Sequence, residues 1–314
     1  MKNKCFIGID TSNYTTSAAI CSYGGEIIAN LKAPLSVSDG ARGLRQSDAV
    51  FAHIKNFPEL CQRLRNELNG LTVTAVGVSS KPRRAAESYM PCFLSGVAVA
   101  QGIAAASDVP LYEFSHQEGH IMAALYSSGA GIFDDFAAFH VSGGTTEVLH
   151  AKKCTAGFEA ELIGGTKDLN AGQCVDRIGV MMGMKFPCGA EMDSLALQNT
   201  KKLTGIRVSV NDLFCNLSGV ENLSAKLWRE TEDRTLVSAF TFEYIARSLN
   251  KITDNLRDRY ENIPVIYAGG VMSSKYIAER LKRDNAYFAA AAFSADNAAG
   301  IALLCREKYI NENN

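Results

Sequence analysis

The sequence contains the same pattern of strand, small-residue turn and strand twice, and this repeat limits the fold more than any other feature. In the first copy an apolar run over residues 5–9 leads into a hydroxyl-rich turn at residues 10–16 and a second strand. In the second copy a run over residues 136–141 leads into a glycine turn at residues 142–146 and a returning strand. Short apolar runs bounded by turn residues are typical of strands. The repeat predicts two related lobes that face a cleft.

Strand and helix signals alternate around the two copies, which is typical of an α/β protein. A helix is predicted over residues 47–67, where Pro58 would divide it. Further helices are predicted over residues 93–106, 170–182, 235–256 and 275–282, and further strands over residues 26–31, 71–78, 111–114 and 263–267. A last helix is predicted from about Asp296 to residue 307. We expect one lobe at residues 1–112 and another at residues 113–314, with the last helix able to pack back on the first lobe.

The composition is that of a compact protein without a charge excess. The 314 residues are 47% hydrophobic, with 32 Lys and Arg against 33 Asp and Glu. Any contact with nucleic acid must therefore be local or supplied by a partner. No apolar run is long enough to span a bilayer and no secretory signal is expected, which predicts a cytoplasmic protein without a membrane partner. The nine cysteines include no Cys-x-x-Cys pair, which favours reduced core residues.

The segment His116-Gln117-Glu118-Gly119-His120 carries the strongest chemical signal. Two histidines four residues apart lie on one face of a helix and can share a divalent cation. The metalloprotease signature needs Glu directly after its first histidine, and Gln117 occupies that position, so peptidase activity is disfavoured. A chance pairing at this spacing is the alternative that the segment alone leaves open.

Three turns are candidates for contact with a phosphate or a nucleotide. Bare glycine backbone lets amide groups approach a phosphate, and hydroxyl side chains add donors. Residues 10–16 and 142–146 meet this description between strands. Gly269 and Gly270 meet it between a strand and a helix, where a base or a ribose has room. Each turn taken alone also fits an ordinary structural turn.

Taken in order, these segments resemble a known family, the threonylcarbamoyl-transfer enzymes of tRNA modification that were formerly labelled O-sialoglycoprotein endopeptidases. The resemblance extends from residue 6 to about residue 303, and it rests on the order of the motifs because any one of them would be unremarkable. The motifs are Gly8-Ile9-Asp10-Thr11-Ser12, His116-Gln117-Glu118-Gly119-His120, Val141-Ser142-Gly143-Gly144-Thr145-Thr146, Gly172-Gln173-Cys174-Val175-Asp176-Arg177, Pro187-Cys188-Gly189, Leu217-Ser218-Gly219, Gly269-Gly270-Val271 and Asp296-Asn297.

The resemblance implies an α/β fold of the actin-like ATPase superfamily, with two ribonuclease-H-like lobes around a central cleft. It implies transfer of a threonylcarbamoyl group from an acyl adenylate to the tRNA adenosine next to the anticodon, with an adenine nucleotide or acyl adenylate as ligand. Transfer RNA and accessory proteins of the modification complex would be partners. One divalent metal, iron or zinc, would be held by His116, His120 and Asp296. An alternative role for Asp296 is to cap the last helix.

The family's other site residues also carry over to this chain. The catalytic turn falls on Asp10, Thr11 and Ser12. The substrate and nucleotide contacts fall on Val141, Ser142, Gly143, Gly144, Thr145, Asp176, Gly189, Gly269, Gly270 and Ser274. Asp176 suits ribose hydroxyls, with a surface charge beside Arg177 as the alternative. Gly189 suits backbone clearance beside a nucleotide, with a plain turn after Pro187 as the alternative.

Several positions near the site depart from the family pattern. The family's Cys-Asp-Glu-Thr becomes Asn13-Tyr14-Thr15-Thr16, which removes two carboxylates. Its Gly-Pro-Gly loop becomes Lys81-Pro82-Arg83-Arg84, whose cations would either bind phosphate or fill the groove. Single changes place Thr145, Gln173, Glu221 and Ser274 where the family has His, Glu, Lys and Asn. Transfer depends on positioning groups, so the sequence predicts a divergent paralogue whose donor, acceptor or nucleotide can differ.

Three functions are compatible with the sequence. The first is the acyltransferase activity of the family. The second is an ATPase or phosphotransferase of the same fold, with Asp10 as its catalytic carboxylate. The third is a catalytically weakened partner in a complex, motivated by the missing carboxylates. A local basic rim for RNA, or simply a solvated charged surface, is expected at Arg42, Arg45, Lys81, Arg83 and Arg84.

Overall fold

The computed structural model describes residues 3–12, 14–35, 45–85, 87–155, 157–294 and 297–313, so Asn13, Arg42 and Asp296 lie outside the described residues. The chain divides into two compact units. The first comprises Met1–Ser127, Lys153–Ala160 and Ala295–Asn314, and the second comprises Ser128–Lys152 and Glu161–Ser294. The sequence placed the boundary after residue 112, whereas this division groups residues 113–127 and the C-terminal segment with the first unit.

Strands and helices alternate along the described chain. The strands are β1 (Lys4–Asp10), β2 (Thr15–Ser22), β3 (Ile27–Pro34), β4 (Thr72–Lys81), β5 (Leu111–Ser115), β6 (Asp135–Val141), β7 (Thr146–Cys154), β8 (Gly157–Thr166), β9 (Ser209–Asn211), β10 (Phe214–Asn216), β11 (Val265–Ala268) and β12 (Ala286–Phe288). The helices are α1 (Gln46–Glu67), α2 (Phe93–Ser107), α3 (His116–Ser128), α4 (Ala171–Met181), α5 (Gly189–Gln198), α6 (Ser218–Thr231), α7 (Arg234–Arg259), α8 (Lys275–Leu281), α9 (Ala291–Ser294) and α10 (Ala299–Asn313). A 3₁₀ turn at Gly270–Ser273 precedes α8.

The first unit is built on a five-stranded sheet in the order β3-β2-β1-β4-β5. Strand β1 is antiparallel to β2 and parallel to β4, and β5 is parallel to β4. Residues 5–10 of β1 are all buried, as expected for an apolar strand at the centre of a covered sheet. Ile7 and Ile9 pack in one core with Leu60 of α1 and Ala100 of α2. The sheet therefore carries Asp10 at the buried end of its central strand.

Helix α1 runs unbroken through Pro58, so the predicted division of the helix at this proline is wrong. Pro58 lies on the exposed side of the helix. The buried positions recur every three or four residues on both sides of it, at Ala49, His53, Phe57, Leu60 and Leu64. Burial of this stripe holds the helix together despite the backbone hydrogen bond that proline removes.

One member of the stripe, His53, is a fully buried histidine. Its Nδ1 lies 2.9 Å from Thr16 Oγ1, which also accepts a hydrogen bond from Asn56 Nδ2. Its Nε2 has no hydrogen-bond partner among the described residues. Burial lowers the pKa of His53 from 6.5 to about 4, and the negative charge of Asp10 offsets only part of this shift. His53 is therefore neutral in the folded protein at neutral pH.

The first unit is expected to lose stability in mild acid through His53. The unfolded chain binds a proton near pH 6.5 and the folded chain only near pH 4, so this part of the stability is complete above about pH 6.5 and is lost as the pH falls towards 4. Between pH 7 and pH 5 the loss is about 2 kcal/mol in the free energy of unfolding. Urea unfolding at the two pH values measures it. His53→Gln should flatten the dependence, and an equal pH dependence in both proteins would contradict this assignment.

The second unit repeats the connections of the first around its own sheet. Its seven strands lie in the order β12-β11-β6-β7-β8-β10-β9. Strand β6 is antiparallel to β7 and parallel to β11, and β12 is parallel to β11. Strands β6, β7, β8, β11 and β12 thus correspond in order to β1, β2, β3, β4 and β5. The pairs β6–β7, β6–β11 and β11–β12 also have the same directions as β1–β2, β1–β4 and β4–β5. This arrangement bears out the repeat seen in the sequence, and the short strands β9 and β10 are an addition at the β8 edge.

The core of the second unit lies between its sheet and a layer of helices. The rings of Phe139 of β6 and Tyr267 of β11 are in contact, with their centres 4.9 Å apart and their planes tilted by 33°. Phe242 of α7 belongs to the same core. The Tyr267 hydroxyl group lies 2.6 Å from Thr253 Oγ1, so the buried phenol has a hydrogen-bond partner. These contacts fix the ends of β6 and β11, where the glycine turns begin.

The cysteines are free thiols and most are buried, as predicted. Burial raises the pKa of Cys174 and Cys215 to about 12, which keeps both thiols protonated and unreactive. In the part of the chain that the structure describes, no helix is long and apolar enough to cross a membrane.

Candidate metal centre and nucleotide pocket

The carboxylate of Asp10 lies at the buried end of β1 and is surrounded by donors of its own unit. Its Oδ2 accepts a hydrogen bond of 2.5 Å from Ser12 Oγ, and its Oδ1 accepts one from Ser79 Oγ. His116 Nδ1 lies 3.0 Å from the same Oδ1. Thr11 points elsewhere, because its Oγ1 donates to the carbonyl oxygen of Cys92 at 3.0 Å. Of the predicted catalytic turn, Asp10 and Ser12 therefore form one hydrogen-bonded group and Thr11 is held by the backbone.

Asp10 is ionised at neutral pH. Burial alone would raise its pKa, but the positive charge of His116 and hydrogen bonds from that ring and two serines outweigh this effect and lower the pKa to about 2. An ionised carboxylate only accepts hydrogen bonds, so His116 Nδ1 must carry the proton. The other ring nitrogen, Nε2, shares a hydrogen bond of 2.9 Å with His120 Nε2. The carboxylate fixes the ring in the tautomer that a metal ligand needs.

His116 and His120 face each other on the first turns of α3. Their Nε2 atoms lie 2.9 Å apart, and the rings are nearly perpendicular at 81°. Two metal–nitrogen bonds of the usual length, at angles of 90° to 109°, place the two nitrogen atoms about 2.9 to 3.4 Å apart. The separation of the histidine pair is that of a direct hydrogen bond, and it also equals the lower end of the range for two ligands of one cation. The third predicted ligand, Asp296, lies outside the described residues, and among those described no group of three His, Cys, Asp or Glu side chains is arranged to hold a metal ion.

Glycine contacts hold α3 against the C-terminal helix. A Cβ atom on Gly300 of α10 would overlap the carbonyl oxygen of Gly119, which lies between the two histidines. A Cβ atom on Gly119 would stand 2.8 Å from Ile301 Cδ1. The first turn of α10 therefore packs against the histidine helix. Helix α10 itself begins at Ala299, later than predicted. Asn297 Oδ1 accepts a hydrogen bond from Ala299 N, so a cap for this helix does not require Asp296.

Glu118 of the histidine segment has a structural role. Its Oε2 accepts hydrogen bonds from the Ser115 backbone at 2.8 Å and from Ser115 Oγ at 2.7 Å, and the side chain is almost fully buried. Arg84, one of the cations that replace the family's Gly-Pro-Gly loop, donates from Nη1 to Cys154 Sγ at 2.8 Å and lies 3.8 Å from Glu118 Oε1. Arg84 is thus engaged by neighbours in its own unit, although 37% of its side chain stays exposed.

The second unit contains a pocket of about 430 Å³ that gathers half of the predicted substrate contacts. Five predicted residues line it, namely Gly143, Asp176, Gly189, Gly270 and Ser274. The other lining residues are Gly172, Val175, Pro187, Ala190, Asp193, Phe242, Val271 and Ser273. A volume of this size accommodates one small nucleotide-sized ligand.

The glycines near this pocket fall into two groups. No described atom lies within 4 Å of the place where a Cβ atom would stand on Gly143, Gly144, Gly189 or Gly270. Packing therefore does not require glycine there, and the bare backbone is open to a ligand. Gly269 differs, because its φ is +102° and a Cβ atom would stand 2.6 Å from the Val141 carbonyl carbon. Gly269 is thus a packing residue, and fully buried Val141 is part of the core.

Hydrogen bonds fix the turn at residues 142–146. Ser142 N donates to the Thr145 carbonyl oxygen at 2.7 Å, and Ser142 Oγ accepts from Thr145 N at 3.2 Å. Asn170 Nδ2 donates to the Gly144 carbonyl oxygen at 2.9 Å, and Gly172 N donates to that of Ser142 at 3.1 Å. The turn is therefore tied to the N-terminus of α4. Its open glycine edge forms one wall of the pocket.

Two of the polar side chains in the pocket also brace its walls. Asp176 Oδ1 accepts a hydrogen bond of 2.8 Å from Cys188 N, which links α4 to the start of α5. Arg177 pairs with Glu221 at 3.2 Å and not with Asp176. Ser274 caps α8, because its Oγ accepts from Ile277 N at 3.1 Å, and it donates to Asp193 Oδ1 at 2.5 Å. The serine that stands where the family has asparagine is thus engaged within the protein.

Sequence reasoning missed two aspartates that hold helix ends. Asp193 lines the pocket and accepts hydrogen bonds from the backbone amides of Lys275 and Tyr276, both at 3.1 Å. Asp168 accepts from Leu217 N at 2.8 Å and from Ser218 Oγ at 2.5 Å, at the start of α6. Burial would raise the pKa of Asp168, but these hydrogen bonds lower it to about 2. Asp168 lies just before α4 in the sequence but caps α6, which begins 50 residues further along the chain, so no local signal indicates this role.

A larger side chain in place of a pocket glycine is expected to weaken ligand binding without destabilising the fold. Gly189→Leu should leave the melting temperature within a few degrees of that of the unchanged protein, because open space surrounds this helical position. The same substitution should weaken binding of adenosine monophosphate at least about tenfold, because the leucine side chain would occupy the pocket. Thermal unfolding and calorimetric titration measure the two effects. Gly102→Leu, at an equally open helical glycine outside the pocket, is the matched control. Unchanged affinity in Gly189→Leu would show that the ligand does not enter this pocket.

Comparison with known proteins gives one family and one fold. The family model of TsaD, tRNA N6-adenosine threonylcarbamoyltransferase, matches residues 36–303. The tRNA N6-adenosine threonylcarbamoyltransferase of Streptococcus suis is 26% identical over 328 residues, which cover 100% of this chain and 95% of that protein. The enzyme of the same name from Streptococcus pneumoniae serotype 2 is 26% identical over 329 residues and has the same coverage.

Solved structures share the fold at much lower identity. Full-length HypF, crystallised in a phosphate- and nucleotide-bound form, has a TM-score of 0.61 and 12% identity over 99% of this chain, which spans 47% of HypF. The activator of 2-hydroxyisocaproyl-CoA dehydratase from Clostridium difficile, with bound ADPNP, has a TM-score of 0.53 and 13% identity and covers 98% of this chain and 97% of that protein. These likenesses confirm the predicted α/β fold.

Proposed function

We propose a specific transferase reaction for this chain, which belongs to the TsaD family of tRNA N6-adenosine threonylcarbamoyltransferases. The proposed donor is threonylcarbamoyl adenylate, and the proposed acceptor is the N6 amine of the tRNA adenosine next to the anticodon. The amine attacks the carbamoyl carbon, the bond from that carbon to the phosphate oxygen breaks, and adenosine monophosphate leaves with the bonding electrons. The proton of the attacking amine passes to solvent.

The observation that carries the proposal is the lining of the pocket in the second unit. Open glycine backbone at Gly143, Gly189 and Gly270 lets a flat base or a ribose approach closely. Asp176 and Asp193 supply carboxylate oxygens that can accept hydrogen bonds from hydroxyl groups. Among the described residues that line the pocket, none is Lys or Arg. A wall of this character suits the uncharged nucleoside part of an adenylate better than a chain of phosphates.

A metal centre is proposed in the first unit. His116 and His120 would hold one divalent iron or zinc ion together with Asp296, and the ion, when bound, supplies Lewis acidity to a carbonyl or phosphoryl oxygen. Asp10 keeps the proton on His116 Nδ1 and Ser79 and Ser12 keep Asp10 in place. These residues act by orientation, which is where most of the rate of a transfer between bound partners originates.

The hydrogen bonds of Asp10 favour this role over that of a catalytic base in an ATPase. Both carboxylate oxygens already accept hydrogen bonds from protein donors, and a pKa of about 2 makes Asp10 a weak base. The ATPase hypothesis therefore has less support from the site than the acyltransferase hypothesis. Phosphate release from ATP that is abolished in Asp10→Ala would reverse this order.

The proposed reaction is tested by incubating the protein with threonylcarbamoyl adenylate and tRNA that lacks the modification, with and without accessory proteins of the modification complex. Mass spectrometry of the digested nucleosides should detect threonylcarbamoyl adenosine. tRNA with guanosine in place of the target adenosine is the matched acceptor control. Absence of the product under all conditions, for a protein that still binds adenosine monophosphate, would favour the third hypothesis, a complex partner without turnover.

A further inference from the structure

Glu118 is a buried carboxylate that lies between the two histidines of α3 in the sequence. His116 and His120 share one face of the helix, whereas residue 118 lies about half a turn away on the opposite face. Glu118 therefore does not ligate an ion that the two histidines share. Burying a charge is costly, so the contacts of Glu118 must explain why a carboxylate occupies this position.

One oxygen of Glu118 fixes the first turn of α3. Its Oε2 accepts hydrogen bonds from the Ser115 backbone amide at 2.8 Å and from Ser115 Oγ at 2.7 Å. In return, Ser115 Oγ accepts from the Glu118 backbone amide at 3.3 Å. This reciprocal pair is a capping box, which fixes the start of a helix. The residue after the cap is His116, so the capping box sets the direction in which the His116 side chain leaves the backbone.

The other oxygen of Glu118 faces the first residues of β8, which belong to the same unit. Its Oε1 accepts a hydrogen bond from the Phe158 backbone amide at 3.3 Å. The backbone comes close at Gly157, where a Cβ atom would stand 2.5 Å from this oxygen. Arg84 lies 3.8 Å from Oε1 and donates to the Phe158 carbonyl oxygen at 3.4 Å. Both carboxylate oxygens are thus acceptors, and a glutamine would turn a donating NH2 group towards one of the two backbone amides.

We propose that Glu118 is a positioning residue for the histidine pair of α3. It holds the start of the helix between Ser115 and Phe158, so that the Nε2 atoms of the two histidines stay 2.9 Å apart. This inference rests on the proposed function, because it assigns Glu118 to the metal centre of that reaction. The carboxylate acts through the backbone and sets the geometry of the ligands without touching them.

Helix stability alone does not require a buried carboxylate at this position. Serine, threonine or asparagine caps a helix without a buried charge, and glutamine replaces glutamate in many capping boxes. The charge is needed because Ser115 and Phe158 both donate, from two directions. The contact with Phe158 therefore fixes where α3 lies in the unit, and not only where it begins. Asp10, which lies 3.0 Å from His116 Nδ1, meets the ring only if the helix keeps this place.

The first test titrates the full chain, after removal of bound metal, with Co²⁺ and follows the visible absorption of the bound ion. Glu118→Ala should weaken Co²⁺ binding about 10-fold, and Glu118→Gln, which keeps one acceptor, should weaken it less. Asp168→Ala is the matched control and should leave the affinity unchanged. Asp168 also accepts from a backbone amide and a serine hydroxyl group at a helix start, but it lies in the other unit. Thermal unfolding identifies the temperature range in which each variant is folded.

The second test does not depend on a metal. The proton on His116 Nδ1 is hydrogen-bonded to the Asp10 carboxylate and should give a separate downfield signal in the proton NMR spectrum. Glu118→Ala should remove this signal, and Asp168→Ala should keep it. The signal reports the place of the ring, which a loss of helix stability in a folded variant would not change.

Unchanged Co²⁺ affinity in the folded Glu118 variants, or an equal loss in Asp168→Ala, would overturn the assignment. Glu118→Gln alone decides the question where Glu118→Ala does not fold. If the unchanged protein binds no Co²⁺, loss of the NMR signal in the Glu118 variants would keep the positioning role and remove the proposed metal centre. A signal that these variants retain, or that the unchanged protein lacks, would overturn the positioning role. Co²⁺ binding that depends on Glu118 in a protein without transfer activity would count against the proposed reaction alone.

Discussion

Replacing His120 by alanine is expected to abolish metal binding and to lower the rate of threonylcarbamoyl transfer roughly a thousandfold. A loss of this size follows when several kcal/mol of charge stabilisation in the transition state are removed. The expectation follows from the 2.9 Å separation of the His116 and His120 Nε2 atoms, since one nitrogen alone leaves a weak site. Metal content per chain and the rate of transfer at saturating donor and tRNA are the two measurements.

The matched control for His120→Ala is Gln117→Ala in the same helix. Gln117 is held through its backbone, whose amide donates to the Pro82 carbonyl oxygen at 3.0 Å, so removal of its side chain should change neither metal content nor transfer. Thermal unfolding of both variants confirms that α3 is intact. A His120→Ala protein that keeps its metal and its activity would refute the assignment of the histidine pair.

Asp10→Asn is the second change with a large expected effect, although Asp10 binds neither donor nor acceptor in the proposed site. The carboxylate accepts hydrogen bonds on both oxygens, from His116 and Ser79 on one and from Ser12 on the other. An amide has only one acceptor atom, so the proton of His116 is no longer fixed on Nδ1. We expect a roughly 10-fold to 100-fold loss of metal affinity, the usual effect of removing a partner that orients a metal ligand, and a parallel loss of transfer.

Ser79→Ala is the control that separates orientation from folding. It removes one hydrogen bond to Asp10 but leaves the carboxylate and its contact with His116, so its effect on metal affinity should be much smaller. Excess metal should partly restore transfer in Asp10→Asn, because the defect lies in affinity. Wild-type metal affinity in Asp10→Asn would show that the carboxylate does not act through His116.

The parts of the fold that follow from local pattern were predictable. Apolar runs and turn residues predict both hairpins, at residues 10–16 and 142–146, and in the structure β1 pairs with β2 and β6 pairs with β7 as expected. Helix α3 begins at His116, as the four-residue spacing of the histidines required. Pro58 shows the limit of such reasoning, because burial of a stripe along α1 overrides a local signal for a break.

The parts of the site that depend on distant contacts were not predictable. Nothing in the local sequence shows that Asp10 will meet Ser79 and His116, which lie 69 and 106 residues away. The cap that Asp193 provides to α8 likewise joins residues more than eighty positions apart. The glycines at 143, 189, 269 and 270 look alike in sequence, and only packing separates Gly269, which the fold requires, from the three that leave the pocket open.

The central claim is that the first unit holds a divalent cation on which transfer depends. Its most direct test is the rate of threonylcarbamoyl transfer by the unchanged protein after removal of bound metal with a chelator, followed by stepwise return of iron or zinc. The account predicts that transfer falls to background and recovers as one ion per chain is restored. Full transfer by the metal-free protein would contradict it.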